Sequence, residues 1–272
     1  MARLLILGGT AEAAELAARA AAGLPDLEVV TTLAGRTRRP RLPPGRVRVG
    51  GFGGAEGLAA FIEAEGIDLL VDATHPFAAT MAANAALACA RTARPRLRLL
   101  RPMWPRRADD RWHEVADATE AARLVPRLGR RVLLTVGHRD LAAFAGLGGV
   151  ALVVRSIEPP AALPAPDAIW LGARGPFSLA GELALFGARG IDLLVTKASG
   201  GAATYAKIEA ARRLRLPVIM LRRPPPPEGE TAADVDAALA WIAARLCAGD
   251  RGGSFPHPKR AMESPSGLDG TG

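Results

Sequence analysis

Short uninterrupted apolar runs alternate along the chain with longer segments in which apolar residues recur every three or four positions. LLILGG (Leu4 to Gly9) is a run closed by glycines, and TAEAAELAARAAAG (Thr10 to Gly23) follows with strong helix formers and a terminal glycine. This order predicts strand, tight turn and helix, with Thr10 as N-cap and acids in the early turns. LEVVTTL (Leu27 to Leu33) predicts a second strand ended by AGRT, and GLAAFIEAEG after RVRVGGFGG predicts a helix. IDLLVDATHPFA (Ile67 to Ala78) is a third apolar run with a polar loop at its carboxyl end. MAANAALACARTA then reads as helix and RLRLLR (Arg96 to Arg101) as strand. Strands that are apolar throughout, rather than at every second residue, are covered on both faces. Their alternation with helices predicts an α/β fold with parallel sheets.

RPMWPRRADDRWHEV (Arg101 to Val115) breaks the rhythm with prolines and charges, which predicts a crossover between two domains. The alternation then resumes. ATEAARLVPRL is helical, RRVLLTVG (Arg130 to Gly137) a strand, HRDLAAFAG a short helix and VALVVRS (Val150 to Ser156) a strand. IWLGARGPF reads as strand and loop, and SLAGELALFGARG as helix. IDLLVTKASGG (Ile191 to Gly201) is a strand running into a glycine loop, with TYAKIEAARRL as the helix after it. LPVIMLRRP is read as the last strand and AADVDAALAWIAARL (Ala232 to Leu246) as the closing helix. The expected division is residues 1–105, 106–248 and a Gly-, Ser- and Pro-rich tail, 249–272, without apolar periodicity and expected to be disordered.

Composition narrows the classes. The net charge of +8 suggests an anionic partner, but acids are interspersed, aromatics are only 4%, and no nucleic-acid module is recognisable. Nucleic acid and membrane are therefore not expected as partners. Cys89 and Cys247 lie far apart, against a disulfide scaffold or zinc site and in keeping with a reducing cytoplasm. Arginine is the default cation. Lysine occurs only at Lys197, Lys207 and Lys259, and Tyr205 is the sole tyrosine. Two of the three lysines and that tyrosine thus share one glycine-broken loop.

Ligands of open α/β sheets sit beyond the carboxyl ends of the strands, which makes the loops after the apolar runs the candidates. Gly8, Gly9, Thr10 and Glu12 precede or open a helix, an arrangement that suits a phosphate, although GGT is not GxGxxG and also suits a plain turn. After the second strand a dinucleotide site selective for NAD carries an acid. Arg36 and Thr37 stand there instead, fit for the 2′-phosphate of NADP(H), or else opening a solvated basic run. Asp72, Thr74, His75 and Phe77 follow the third strand. His75 is a candidate for acid–base work, for holding a cofactor, or for fixing the loop. No second ligand stands at metal spacing, so no metal is expected. Ser199, Gly200 and Gly201 again precede a helix, with Lys197 and Lys207 beside them as candidate partners of carboxylate or phosphate, or as ordinary surface lysines. The residues alone leave open an NADP(H) enzyme with a polyanionic substrate, a two-domain nucleotide-sugar transferase and an NADP-binding redox sensor.

LILGGTAEAAELA, LAGRT, RVGGFGG, DATHPFA, NAALAC, RPMW, VRSIEPP, ARGPF and KASGGAATYAKIEAAR, in this order, resemble the precorrin-6A reductase family, from about Ala2 to Leu246. TVGHR (Thr135 to Arg139) departs from the TTGRQ-like form associated with that family. The resemblance implies two Rossmann-like domains with a cleft, and NADPH as donor of a hydride to a macrocycle that gains a proton at the neighbouring carbon. It implies precorrin-6A or its cobalt form as substrate, with neighbouring pathway enzymes as partners at handover. It implies Gly9, Thr10, Glu12, Arg36, Thr37, Asp72, Thr74, His75 and Phe77 on the cofactor side. On the substrate side it implies Arg155, Ser156, Lys197, Ser199, Gly200, Gly201, Tyr205 and Lys207. His75, Lys197 and Tyr205 are the candidate proton donors.

Overall fold

A computed structural model describes residues 1–35 and 42–250. Arg36 and Thr37, and the tail beyond residue 250, lie outside the described residues. Two six-stranded parallel sheets make up the architecture.

The first sheet runs β12-β5-β4-β1-β2-β3. It contains β1 (Ala2–Leu7), β2 (Leu27–Leu33), β3 (Arg46–Val49), β4 (Leu69–Asp72), β5 (Arg96–Leu99) and β12 (Glu230–Ala232). Helices α1 (Ala11–Gly23), α2 (Ala55–Ala64), α3 (Ala79–Thr92) and α7 (Val235–Asp250) accompany it. Leu4 and Ile6 point into one core with α1 and α7, whereas Leu5 and Leu7 point into another with α2 and α3. Cover on both faces is why Leu4 to Leu7 run without a polar alternate.

The second sheet runs β6-β11-β10-β7-β8-β9. Its strands are β6 (Trp112–Val115), β7 (Arg131–Thr135), β8 (Ala151–Ser156), β9 (Ile169–Gly172), β10 (Leu193–Lys197) and β11 (Val218–Leu221). Its helices are α4 (Ala118–Leu128), α5 (Leu179–Arg189) and α6 (Ala206–Arg213), with 3-10 turns at His138–Phe144 and Ala202–Thr204.

Three expectations are corrected. The crossover segment hides β6, whose WHEV pairs in register with Val218 to Leu221. The closing helix does not complete the second half. Residues 230–232 pair with β5, Glu230 opposite Leu97, and α7 buries Val235, Ala238 and Ile242 in the core shared with Leu4, Leu16 and Leu97. Ala232, expected in that helix, lies in the strand. Residues 249 and 250, expected in the tail, continue α7. Three residues, Glu-Thr-Ala, are too few to show a period, and an apolar helix face does not say which sheet edge is vacant.

In each sheet one strand has neighbours that lead away in opposite directions. β1 lies between β2 and β4, and β7 between β8 and β10. Loops leaving such neighbours diverge and open a crevice at the carboxyl ends.

Candidate active site

The crevices of the two sheets meet in one cavity of about 290 Å³. Gly9 to Glu12 after β1 and His75 after β4 line it from the first sheet. Thr135, Arg155, Ser156, Ser199 to Gly201 and Lys207 line it from the second, with Ile157 and Phe177 as apolar wall.

The β1 loop is shaped by its glycines. A Cβ on Gly8 would lie 3.1 Å from the Thr32 carbonyl oxygen, and Gly9 has φ +107° with open space where a Cβ would be. The Thr10 hydroxyl accepts from the Ala13 N–H at 3.1 Å and donates to the Ala73 carbonyl at 2.8 Å, which joins this loop to the β4 loop. Thr10 therefore satisfies one of the first-turn donors of α1, and the N–H groups of Ala11 and Glu12 have no intrahelical acceptor. Glu12 accepts from Arg101 at 2.7 Å.

Asp72 and Thr74 do not line this cavity. Asp72 is fully buried in an ion pair with Arg98 and accepts from the Thr74 N–H at 3.0 Å and hydroxyl at 2.7 Å. Arg98 also donates to the Thr74 hydroxyl at 3.0 Å. The two residues fix the loop from beneath. His75 stands above them, half-buried, its Nδ1 accepting from the Phe77 N–H at 3.2 Å. Burial, and then the charges of Arg101, Lys197, Lys207 and Arg223, push its pKa down to about 3. A neutral ring with Nδ1 accepting carries its proton on Nε2. Phe77 leaves the first sheet altogether and packs against the cores on both faces of the second.

The β10 loop is held from behind. Arg101 Nε donates to the Ser199 carbonyl at 2.8 Å and Trp104 Nε1 to that of Gly201 at 2.8 Å. Arg223 donates to the carbonyls of Ala198 at 2.6 Å and Ser199 at 2.8 Å. With the carbonyls turned to these donors, the N–H groups of Gly200 and Gly201 make no hydrogen bond among the described residues. Gly200 has φ +63°, and a Cβ there would fall 2.1 Å from the Pro102 carbonyl oxygen. The outcome is a concave run of free donors facing the N-terminus of α1, an anion cradle on each side of the cavity.

Lys197 and Tyr205 do not line the cavity. Lys197 Nζ is paired with Asp140 Oδ2 at 2.7 Å, 5.0 Å from the Phe77 ring centroid. The Tyr205 hydroxyl accepts from Arg212 at 3.2 Å, and its ring packs into the core of the second sheet. Arg155 and Ser156 do line it. Buried Arg155 donates to both oxygens of Glu182, at 2.8 and 3.0 Å. The Ser156 hydroxyl donates to the Glu158 carbonyl at 2.6 Å and accepts from Trp170 at 3.0 Å. Lys207 is buried, its Nζ donating to the Thr135 hydroxyl at 3.3 Å.

With this geometry in view, the chain's relatives place it. The precorrin-6x reductases, CbiJ/CobK, match residues 3–243. The chain belongs to this family. It is 52% identical to the precorrin-6A reductase of Rhodococcus erythropolis, over 89% of this chain and 98% of that one. It is 44% identical to that of Mycobacterium tuberculosis H37Rv, over 89% and 98%. A solved structure titled CobK precorrin-6A reductase superposes with TM-score 0.83 at 41% identity, covering 90% of this chain and 97% of that chain.

Within this family member, the positions that sequence reasoning passed over are Arg101, Trp104, Arg223 and Glu182. The RPMW and LRRP segments that carry the first three read as crossover and strand end. Nothing local shows that Arg101 and Arg223 converge on one set of carbonyls. Three of the cations near the cavity are paired with carboxylates. Arg101 is matched by Glu12, Arg155 by Glu182 and Lys197 by Asp140.

Proposed function

We propose that the protein reduces precorrin-6A with NADPH, adding a hydride and a proton across a double bond of the macrocycle during corrin-ring formation for cobalamin. The observation that carries this reading is a single cavity lined by two facing anion cradles, in a chain that matches the reductase family almost end to end. Relatives named precorrin-6A reductase are 41% to 52% identical to it. Those named cobalt-precorrin-6A reductase are 29% or 30% identical. This favours the metal-free substrate over the cobalt form.

The residues suit a nicotinamide dinucleotide. Gly9, open at φ +107°, and the free first-turn N–H groups of α1 would take a phosphate against the helix N-terminus. Arg36 and Thr37, where an NAD-selective site carries an acid, favour the 2′-phosphate and hence NADPH. A nicotinamide held there supplies the hydride. The chain's own task is to orient, to exclude water and to place a proton. Ile157 and Phe177 offer apolar surface to a ring, while the N–H groups of Gly200 and Gly201 suit a carboxylate arm. His75, neutral and hydrogen-bonded, can donate from Nε2 to a cofactor or substrate oxygen but brings no cation.

Anaerobic mixing with NADPH and metal-free precorrin-6A, beside a cobalt-precorrin-6A sample, tests the reading. The expected result is NADPH consumption in step with a change in the macrocycle spectrum, faster with the metal-free substrate. Tight NADPH binding with turnover of neither would instead support the sensor reading.

A further inference from the structure

The three residues expected as proton donors are poorly disposed for that role. Lys197 is ion-paired and does not line the cavity, Tyr205 is bound to Arg212 in the core of the second sheet, and His75 is held neutral. Lys207 is differently placed. It sits at the start of α6, only 5% exposed, and its side chain lines the cavity. Among the described residues its Nζ has one hydrogen bond, to the Thr135 hydroxyl at 3.3 Å, and it lies 5.5 Å from the Trp104 ring centroid. The Thr135 hydroxyl gives its own proton to the Val195 carbonyl at 3.2 Å, so it can only accept from Lys207. Among the described residues no carboxylate lies within ion-pair distance of Nζ. The charges facing it are Arg155 from β8, Arg101 from the crossover and Glu182 from α5. Neutral His75 faces it from the β4 loop.

We propose that Lys207 Nζ is the group that delivers the proton accompanying hydride addition, an inference that rests on the reductase reading above. Hydride addition brings two electrons to one ring carbon. The displaced π pair on the neighbouring carbon takes the proton from Nζ: an N–H bond breaks, a C–H bond forms, and Lys207 is left neutral. Solvent restores its proton after product leaves. The surroundings equip it for this. Burial first, then Arg155 and Arg101 against the opposing effect of Glu182, push its pKa down to about 7. A lysine so poised is present in both protonated and neutral forms near neutral pH, so it can give up its proton and regain it readily. An ion-paired lysine would hold its proton more firmly.

The test uses the full chain with Lys207→Arg and Lys207→Met. Arginine keeps the charge but does not give up a proton near neutrality, and methionine fills the volume without charge. The first readout is independent of turnover. Competitive acetylation of the wild-type protein, read by mass spectrometry on the peptide carrying Lys207, should show a midpoint near 7. The second is kinetic. Wild-type kcat/KM with precorrin-6A should fall above that pH, where the donor form disappears. Lys207→Arg should bind NADPH normally, lose kcat by about 100-fold or more, and lack that limb of the profile. Labelling that titrates like an ordinary lysine, or a Lys207→Arg enzyme with wild-type kcat and pH profile, overturns the proposal. Loss of substrate binding in Lys207→Met beside normal kcat in Lys207→Arg also overturns it, since charge alone would then suffice. Wild-type inactivity toward both macrocycles would instead overturn the functional reading, and this proposal with it.

Discussion

Asp72 and Arg98 show how a residue can belong to a functional loop without lining its cavity. Their buried pair sets the conformation from which His75 projects. Removing one partner of such a pair leaves a charge without compensation. Arg98→Met should therefore lower unfolding free energy by about 3–5 kcal/mol, measured by urea denaturation, and Asp72→Asn combined with it should cost less than the sum. His75 gives a pH signature. Its folded pKa of about 3 lies below the ordinary 6.5, so between those values the unfolded chain binds the proton more readily. Stability present above 6.5 is lost as pH falls toward 3. His75→Gln should flatten that part of the stability profile, and an unchanged slope would show that the ring is not held neutral. Lys207 has the same sign in another window. Its folded value of about 7 lies below 10.5, so stability rises with pH between them. Lys207→Met should melt higher than wild type at pH 7, with the gap narrowing toward 10.5.

The element that matters most is the loop from β10 to α6. Its shape follows from glycines that accept positive φ and from Arg101, Trp104 and Arg223 gathering its carbonyls. Gly200→Ala meets both obstacles, φ +63° and a Cβ on the Pro102 carbonyl. Strain of about 1–3 kcal/mol is expected, together with loss of substrate use as the N–H groups turn away. Calorimetry and KM for the macrocycle would check this. The glycines, the helix start and the flanking lysines were legible in KASGGAATYAK. The partners of the lysines were not, since Asp140 and Thr135 are far away in sequence, and the contact of Tyr205 with Arg212, seven residues on, depends on how α6 packs. Hence Lys197 and Tyr205, the most conspicuous residues by rarity, lie off the cavity, and Lys207 lines it.

At the scale of the molecule, the chain crosses to the second sheet near residue 101 and returns after β11. β12 and α7 complete the first sheet, with Arg19 on α1 ion-paired to Asp236 on α7 at 2.5 Å. This return adds a second covalent connection between the halves, so truncation should not act on a tail alone. Ending the chain at residue 229 should uncover Leu97 and Leu16 and remove most of the usual 5–15 kcal/mol or so of domain stability from the first half. Ending it at residue 250 should leave the melting temperature and NADPH binding intact. Thermal melts of the two truncations distinguish the return from a dispensable extension.

Local chemistry was enough to mark the strands, the helices and the loops where ligands gather. Apolar runs such as LLILGG and IDLLVTK must be buried on both faces, and glycines before a helix must turn there. These constraints act within a few residues, and the sequence states them directly. The tertiary structure decided everything that depends on distant partners: that β12 adds to β5, that Asp72 belongs to Arg98, and that Arg101 and Arg155 in the cavity wall, and Lys197 beside it, are matched by carboxylates. Burial and charge pairing are properties of neighbours in space. For that reason two lysines ten residues apart, alike in sequence, become an ion-paired support at Lys197 and a desolvated side chain in the cavity at Lys207.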